Sequence, residues 1–375
     1  MERKIIRVGI IGLGSIGKTH ARAYNHIAAA FPQAPFSPSV SVVLRRQIAG
    51  DKSFLQSNAE PEVVTNLEDF FDQPLDLVDI CTPTYLHIHQ LKYAIPKGLP
   101  IYCEKPLGRD LNEVEQIAEM VSLGNIATHT AFIYRYYPEI QFARALVKNG
   151  EIGEVRSFRW TMLHSSFLDP SRSMTWRLRK ADSGGGALMD LGIHLFDLLR
   201  FIFDEIDWVQ CNTKTFITKR PVEGNPLQIQ AIDVDDWAIC TLGLQNGAVG
   251  SLEVSKVAGG RSNTCSIEIY GSKGTIETSF DTPGLVRLFT VRSGNWQSIN
   301  ALEHSESKCF QMLQDKPVQP GDFFFTAHME SIYDFLSKIV SDEISELNFI
   351  TALHAHKVLD AAYVSAGHHG KLVKP

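Results

Sequence analysis

Lys4-Ile5-Ile6-Arg7-Val8-Gly9-Ile10-Ile11-Gly12-Leu13-Gly14-Ser15-Ile16-Gly17 is an apolar run that breaks into three glycines spaced G-x-G-x-x-G. The run over residues 5–11 predicts a buried strand, and the pattern over 16–31 predicts a helix. Between them Gly12 permits a tight turn, and Gly14 lets the backbone approach a pyrophosphate. Gly17 lets helix and strand pack closely, with the pyrophosphate at the positive helix N-terminus. A bare glycine triplet is weak, but a strand before it and a helix after it make a dinucleotide-binding turn, with Ser15 and Ile16 in the same cradle. Arg3 and Lys4 ahead of apolar residues imitate a secretion signal. Arg7 interrupts that stretch, and a glycine turn stands where a cleavage site would, so a buried strand is the better reading.

Outward from this unit, short apolar runs at 39–44, 75–81, 101–103 and 126–130 alternate with helical patterns at 88–96 and 111–121. That alternation implies a parallel sheet with helices on both faces, and 31–38, rich in proline, reads as a loop. After Tyr137 the rhythm changes. A helix at 140–148 leads to a strand at 155–162, an irregular stretch at 163–186 and a helix at 188–203. Turns at Asn246-Gly247, Ser272-Lys273-Gly274 and Ser293-Gly294-Asn295 punctuate strand candidates over 206–300, and helices follow at 324–340 and 350–366. A chain of 375 residues exceeds what one core usually supports. The fold class is therefore α/β: a Rossmann-type, doubly wound parallel sheet over 1–131, then an α+β domain over 132–375. The latter is built on a large, mostly antiparallel open sheet, for substrate binding and oligomerisation.

A net charge of −6 without any Lys/Arg run argues against a nucleic-acid partner. No apolar run is long enough to cross a bilayer, so a soluble, cytoplasmic protein is expected. The six cysteines form no C-x-x-C pair and read as buried free thiols. His87/His89 and His354/His356 are two apart, a spacing that does not converge on a helix. No metal is expected.

Three segments sit where ligands bind such sheets. Asp79-Ile80-Cys81-Thr82-Pro83-Thr84-Tyr85-Leu86-His87 ends one strand and Cys103-Glu104-Lys105-Pro106-Leu107 the next, both at the edge facing the crevice. Gly184-Gly185-Gly186-Ala187-Leu188-Met189-Asp190-Leu191-Gly192-Ile193-His194 enters a helix of the second half. With the glycine turn, these T-P-x(3)-H, E-K-P and G-G-G…D-x(3)-H elements make the chain resemble the Gfo/Idh/MocA family, which includes glucose-fructose oxidoreductase and inositol dehydrogenases. The resemblance spans nearly the whole chain. It implies an NAD(P)-dependent oxidoreductase acting on a secondary hydroxyl of a sugar- or cyclitol-like substrate, with Lys105, Asp190 and His194 as the catalytic set. It also implies that Thr82, Pro83, His87, Glu104 and Lys105 lie at the cofactor, that Trp176-Arg177 reaches toward cofactor or substrate, and that the chain forms a homodimer or homotetramer.

The chemistry suits those residues. Alcohol oxidation removes a proton from oxygen and a hydride from carbon, so the protein must supply a base. Asp190 and His194 are four apart on a predicted helix, hence about one turn apart on one face. His194 reads as the general acid/base and Asp190 as its orienting partner or as a direct substrate contact. Asp197, three residues on, is a competing carboxylate whose bland reading is packing. The ammonium of Lys105 suits a developing alkoxide, Pro106 restricts its backbone, and whether their bond is cis stays open. Tyr134, Arg135 and His164 are candidates for substrate specificity. Two other readings remain: glycoside cleavage with a retained nucleotide, and a nucleotide sensor without catalysis. No Asp or Glu occurs between Gly17 and Asp51, where an NAD-selective carboxylate would stand; Arg45-Arg46 follows the second strand instead. Guanidinium groups suit a 2′-phosphate, which favours NADP slightly over NAD.

Overall fold

The computed structural model describes residues 3–47, 60–313 and 319–375. Six strands make the first sheet: β1 (Lys4–Ile11), β2 (Phe36–Leu44), β3 (Glu62–Val64), β4 (Leu77–Ile80), β5 (Ile101–Cys103) and β6 (Thr128–Thr130). Their order is β3-β2-β1-β4-β5-β6 and every pairing is parallel. Val8, Ile10 and Ile11 of β1 and Leu77, Val78 and Ile80 of β4 are fully enclosed, as expected of strands covered on both faces. The helices of this half are α1 (Ser15–Ala30), α2 (Leu67–Phe71), α3 (His87–Ala94) and α4 (Leu111–Gly124). Strand order reverses between β1 and β4, so the ligand crevice opens at their C-terminal ends.

Two details differ from expectation. β2 begins at Phe36, inside the stretch read as a loop. Pro38 is tolerated because β3 pairs only with Val42–Leu44, leaving β2 an edge strand at Pro38. β3 and α2 have no counterpart in the sequence reading.

The second half starts with α5 (Pro138–Lys148) and β7 (Val155–Leu163) and adds α6 (Lys180–Ser183) and α7 (Ile193–Ile202). Then come β8 (Ile206–Lys214), β9 (Lys219–Val222), β10 (Asn225–Ala231), β11 (Trp237–Leu244), β12 (Val249–Ser255), β13 (Thr264–Gly271), β14 (Gly274–Ser279), β15 (Leu285–Thr290) and β16 (Trp296–Asn300). β9 and β10 pair as a separate ribbon; the others form one sheet in the order β16-β15-β14-β13-β7-β12-β11-β8. Only β12 and β7 run parallel. All three expected turns connect antiparallel neighbours. Phe158, Trp160 and Met162 of β7 are buried, while Arg159 between them is exposed, the alternation of a sheet with one covered face.

The chain ends with α8 (Lys308–Gln311), α9 (Pro320–Ser341) and α10 (Phe349–Gly367). α9 returns to the first sheet: Tyr333 stacks on Phe31 at 3.5 Å, and Ser331 bonds to Tyr102 and His129 at 2.8 and 3.0 Å. α10 packs against β8, α4 and α7. The six cysteines are buried and unpaired, as expected. Among the described residues no helix is long and apolar enough to cross a membrane.

The helix expected over 188–203 opens as a π-helical turn, Leu188–Gly192, before α7. Its entry is held by the buried carboxylate of Asp235. That group accepts from Gly186 N at 2.9 Å, Leu188 N at 2.7 Å and the Tyr363 hydroxyl at 2.8 Å. A Cβ on Gly186 would stand 1.6 Å from the Asp235 carbonyl oxygen, so only glycine fits. Asp235→Ala strands the Leu188 N–H and the Tyr363 hydroxyl, each at about 1–3 kcal/mol, and leaves Gly186 N only its longer bond to Tyr363 at 3.2 Å. Its urea midpoint is expected to fall by the equivalent of about 3 kcal/mol; a change under about 0.5 kcal/mol would show that this cap does not hold the turn.

Candidate active site

The glycine turn has the geometry a dinucleotide needs. Gly12 adopts φ +95°, and a Cβ on Gly17 would lie 2.1 Å from the Gly12 oxygen. A Cβ on Gly14 would meet nothing within 4 Å, so the backbone there is open to a phosphate. No acidic side chain sits in the first turn of α1 to oppose one. Gly12 N donates to Leu44 O, which places Arg45 and Arg46 directly beside this turn. Arg46 bonds the Tyr85 hydroxyl at 3.1 Å, and Tyr85 meets the Trp176 ring edge-on at 6.5 Å.

From the turn the crevice leads into a cavity of about 290 Å³. Ile16, Glu104, Lys105, Pro106, Trp176, Arg177, Asp190 and His194 all line it, as do Tyr134, His164, Asn263, Phe324 and His328. Seven of these were expected at the catalytic or cofactor positions: Ile16, Glu104, Lys105, Trp176, Arg177, Asp190 and His194. The Lys105-Pro106 bond is cis. Thr82 packs against Gly12 and donates to Gln90 at 2.6 Å, with Pro83 leading into the following turn. His87 is withdrawn from the cavity: it is 1% exposed, and its ring nitrogens face Thr82 O at 2.9 Å and Pro106 O at 3.0 Å. It ties the two crevice loops together and offers no atom to a cofactor, which corrects its expected contact.

Asp190 also departs from its expected partner. Its carboxylate bonds Lys105 Nζ at 2.8 Å and Lys256 Nζ at 3.0 Å; neither a hydrogen bond nor an ion pair joins it to His194. The π-turn breaks the i,i+4 register on which that pairing was drawn. Burial opposes its charge, but Lys105, Lys256 and Arg177 outweigh that and hold its pKa well below the usual carboxylate range. Asp197 is no competitor either, since Arg135 binds it at 2.8 and 2.6 Å. Arg135 is thereby committed to a buried ion pair away from the cavity lining.

His194 is held by packing. Its ring lies 4.5 Å from Tyr134 and 6.1 Å from Phe132, and Nδ1 has no protein partner. Burial, reinforced by the charge of Lys105, keeps its pKa well below 6.5. It is a neutral imidazole able to accept a proton. Lys256, 3% exposed, was not found by the sequence reading. Its signal is parity: Leu252 and Val254 point inward, and Lys256 continues that face, where an unpaired lysine has no place. His164 continues the inward face of β7 in the same way, and its Nε2 is buried without a partner.

Two buried triplets, His20/Asp79/Cys81 and His20/Glu104/His328, gather ligand-type atoms within 4.8 Å. Both turn on His20, whose nitrogens already face Asp79 and His328 at 2.9 and 3.1 Å, so the cluster reads as a hydrogen-bonded chain.

With this geometry in place, comparisons with known proteins add the lineage. Residues 6–128 match the description "Oxidoreductase family, NAD-binding Rossmann fold", and residues 140–277 match "GFO/IDH/MocA C-terminal domain". The chain is 31% identical to a levoglucosan dehydrogenase of Pseudarthrobacter phenanthrenivorans over 84% of its length and 81% of the relative's. It is 27% identical to an inositol 2-dehydrogenase of Rhizobium meliloti over 76% and 79%. A solved levoglucosan dehydrogenase in complex with NADH and levoglucosan superposes with a TM-score of 0.90 at 28% identity, covering 99% of both chains.

Lys105→Met is expected to raise the pKa of His194, because a nearby positive charge is removed. Histidine NMR, with His194→Gln to assign the signal, reads this directly. A wild-type His194 that titrates at or above 6.5, or one unmoved by Lys105→Met, contradicts the assignment.

Proposed function

The chain belongs to the Gfo/Idh/MocA oxidoreductase family, and from that premise we propose that it oxidises a secondary hydroxyl of a sugar- or cyclitol-like substrate with a nicotinamide dinucleotide. When bound, the nicotinamide supplies the hydride acceptor. The observation that carries the reading is the count of hydrogens on Lys105. An ammonium has three N–H donors; two are spent on Asp190, at its carboxylate (2.8 Å) and its carbonyl oxygen (3.0 Å). One remains for the substrate oxygen in the cavity. There it stabilises the charge that develops as the O–H bond breaks. His194, neutral and without a partner at Nδ1, takes the proton. Asp190 orients Lys105, and Lys256 keeps Asp190 ionised. His164 and Asn263, each with an unpartnered buried atom, suit the substrate's other hydroxyls. The names of the relatives, levoglucosan and inositol dehydrogenases, favour the same polyol class.

The proposed boundary near residue 131 separates the dinucleotide turn from the walls contributed by 134–263. A homodimer or homotetramer is supported by the outer face of the large sheet, where Ile239, Val249 and Tyr270 are each at least 36% exposed.

Lys105→Ala is expected to abolish turnover on levoglucosan, inositols or hexoses while nucleotide affinity stays near wild type. His194→Ala should lose on the order of 100- to 10,000-fold in kcat. With His194 as base, kcat/KM for oxidation stays level as pH falls through 6.5 and drops only below it, since protonation must overcome burial and Lys105. Near-wild-type turnover in either variant would remove that residue from the mechanism.

We infer further that NADP is preferred over NAD. Arg45 and Arg46 follow β2 beside the glycine turn, the sequence holds no Asp or Glu between Gly17 and Asp51, and Arg46 is exposed. Titrating both nucleotides against wild type and Arg45→Ala/Arg46→Ala tests this. The double variant should lose affinity for NADP and not for NAD. Tighter NAD binding by the wild type, or an unchanged affinity ratio in the variant, sinks the idea.

A further inference from the structure

Beneath the glycine turn lies a polar chain that the proton transfer does not use. Asp79 on β4 and His20 on α1 are wholly buried. His20 Nδ1 lies 2.9 Å from Asp79 Oδ2, and its Nε2 lies 3.1 Å from His328 Nδ1 and 3.3 Å from Glu104 Oε1. Tyr102 meets the His20 ring edge-on at 5.4 Å. The chain ends at His328 Nε2, which has no partner although the residue is 2% exposed. Glu104 Oε1 is buried and likewise lacks an aligned hydrogen bond. Both residues line the cavity together with Ile16. Buried polar atoms without partners are costly, and a pair of them on a cavity wall points to a ligand that completes them.

The hydrogens follow from the acceptors. A carboxylate faces each nitrogen of His20, Asp79 at Nδ1 and Glu104 at Nε2, so both nitrogens carry hydrogen. Burial opposes that cation, but Asp79 and Cys81 raise its pKa well above 6.5. His20 then donates to His328 Nδ1, which leaves the hydrogen of a neutral His328 on Nε2. Burial and the charge of His20 push the His328 pKa down to about 3. The wall therefore holds one donor, His328 Nε2–H, and one acceptor, Glu104 Oε1, on residues that line the same cavity. His20 and Ile16 are four apart on α1, on one face. His328 is thus brought to the end of the cavity nearest the dinucleotide cradle.

We propose that His328 and Glu104 bind the primary carboxamide of the nicotinamide, His328 donating to its carbonyl and Glu104 accepting from its NH2, with His20 and Asp79 as positioning residues. The carboxamide offers the complementary acceptor and donor side by side. His20 and Asp79 act by fixing which nitrogen of His328 carries hydrogen. The proposal rests on the dinucleotide-binding reading above.

Calorimetric titration of NAD, its 3-acetylpyridine analogue and ADP-ribose tests it. The analogue keeps the carbonyl and lacks the NH2; ADP-ribose lacks the nicotinamide altogether. Wild type should bind the analogue about three- to tenfold more weakly than NAD, a comparison that needs no variant to fold. His328→Leu should weaken NAD by a similar factor and leave ADP-ribose unchanged, and Asp79→Asn should narrow the same NAD-to-ADP-ribose ratio. Equal losses for NAD and ADP-ribose in His328→Leu, or a wild type indifferent to the analogue, would overturn the carboxamide pair. A wild type that binds none of the three, and no NADP either, would overturn the dinucleotide site itself.

Discussion

Lys105 and Asp190 meet at 2.8 Å across 85 residues of chain, and the rest of the site is arranged around the cost of that contact. The Asp190 side chain keeps 29% of its surface exposed, and a carboxylate even partly withdrawn from water is penalised unless charge and hydrogen bonds compensate it. Asp190 is compensated by two lysines from different elements, one at the edge of the parallel sheet and one at the end of β12. Its backbone is fixed by the Asp235 carboxylate and the Tyr363 hydroxyl, which also accepts from Met189 N at 3.1 Å. Moving the two halves apart would leave Asp190 with one lysine fewer. The ion pair therefore does structural and chemical duty together: it registers the second half on the first and aims the ammonium into the cavity.

The same logic explains why the last third of the chain turns back. The large sheet supplies a wall but no groups that reach the end of the crevice nearest α1. α9 closes that side, carrying His328 and Phe324 to the cavity and Ser331 and Tyr333 onto the first sheet and its helices. Thr130 N donates to Leu347 O at 2.7 Å, and Phe349 N donates to Thr128 Oγ1 at 3.1 Å. Residues 345–349 thus seal the edge at β6. The cavity is a joint product of both halves, and its polar residues divide between them: Glu104 and Lys105 follow the first sheet and His328 lies on α9, whereas Asp190, His194, His164 and Asn263 come from the second half.

The fold was legible because its signals are local and periodic. Glycine spacing, buried apolar runs and turn residues each act within about ten residues, and they predicted the parallel sheet, the three hairpins and the long terminal helices. Much of the site was legible too: Lys105, Asp190, His194, Glu104, Trp176 and Arg177 all face one cavity. The roles drawn from spacing alone fared less well. Asp190 and His194 are four apart, yet the π-turn separates them and Lys256 takes the carboxylate. His87 stands in the expected loop but turns its ring inward to two carbonyls.

What the sequence determined by itself was a dinucleotide-binding turn, an α/β architecture followed by an antiparallel sheet, and the residue types gathered for alcohol oxidation. Only the tertiary structure decided the partners. Lys256 just past β12 for Asp190, Arg135 for Asp197, and the run from Asp79 through His20 to His328 join residues tens to hundreds of positions apart. The physical reason is that chain periodicity dictates which face a side chain takes, whereas pairing a buried charge depends on what the fold brings against that face. His328 illustrates it. In the sequence it is one polar residue in an apolar helix, and only contact with a histidine 308 residues earlier gives its ring a direction.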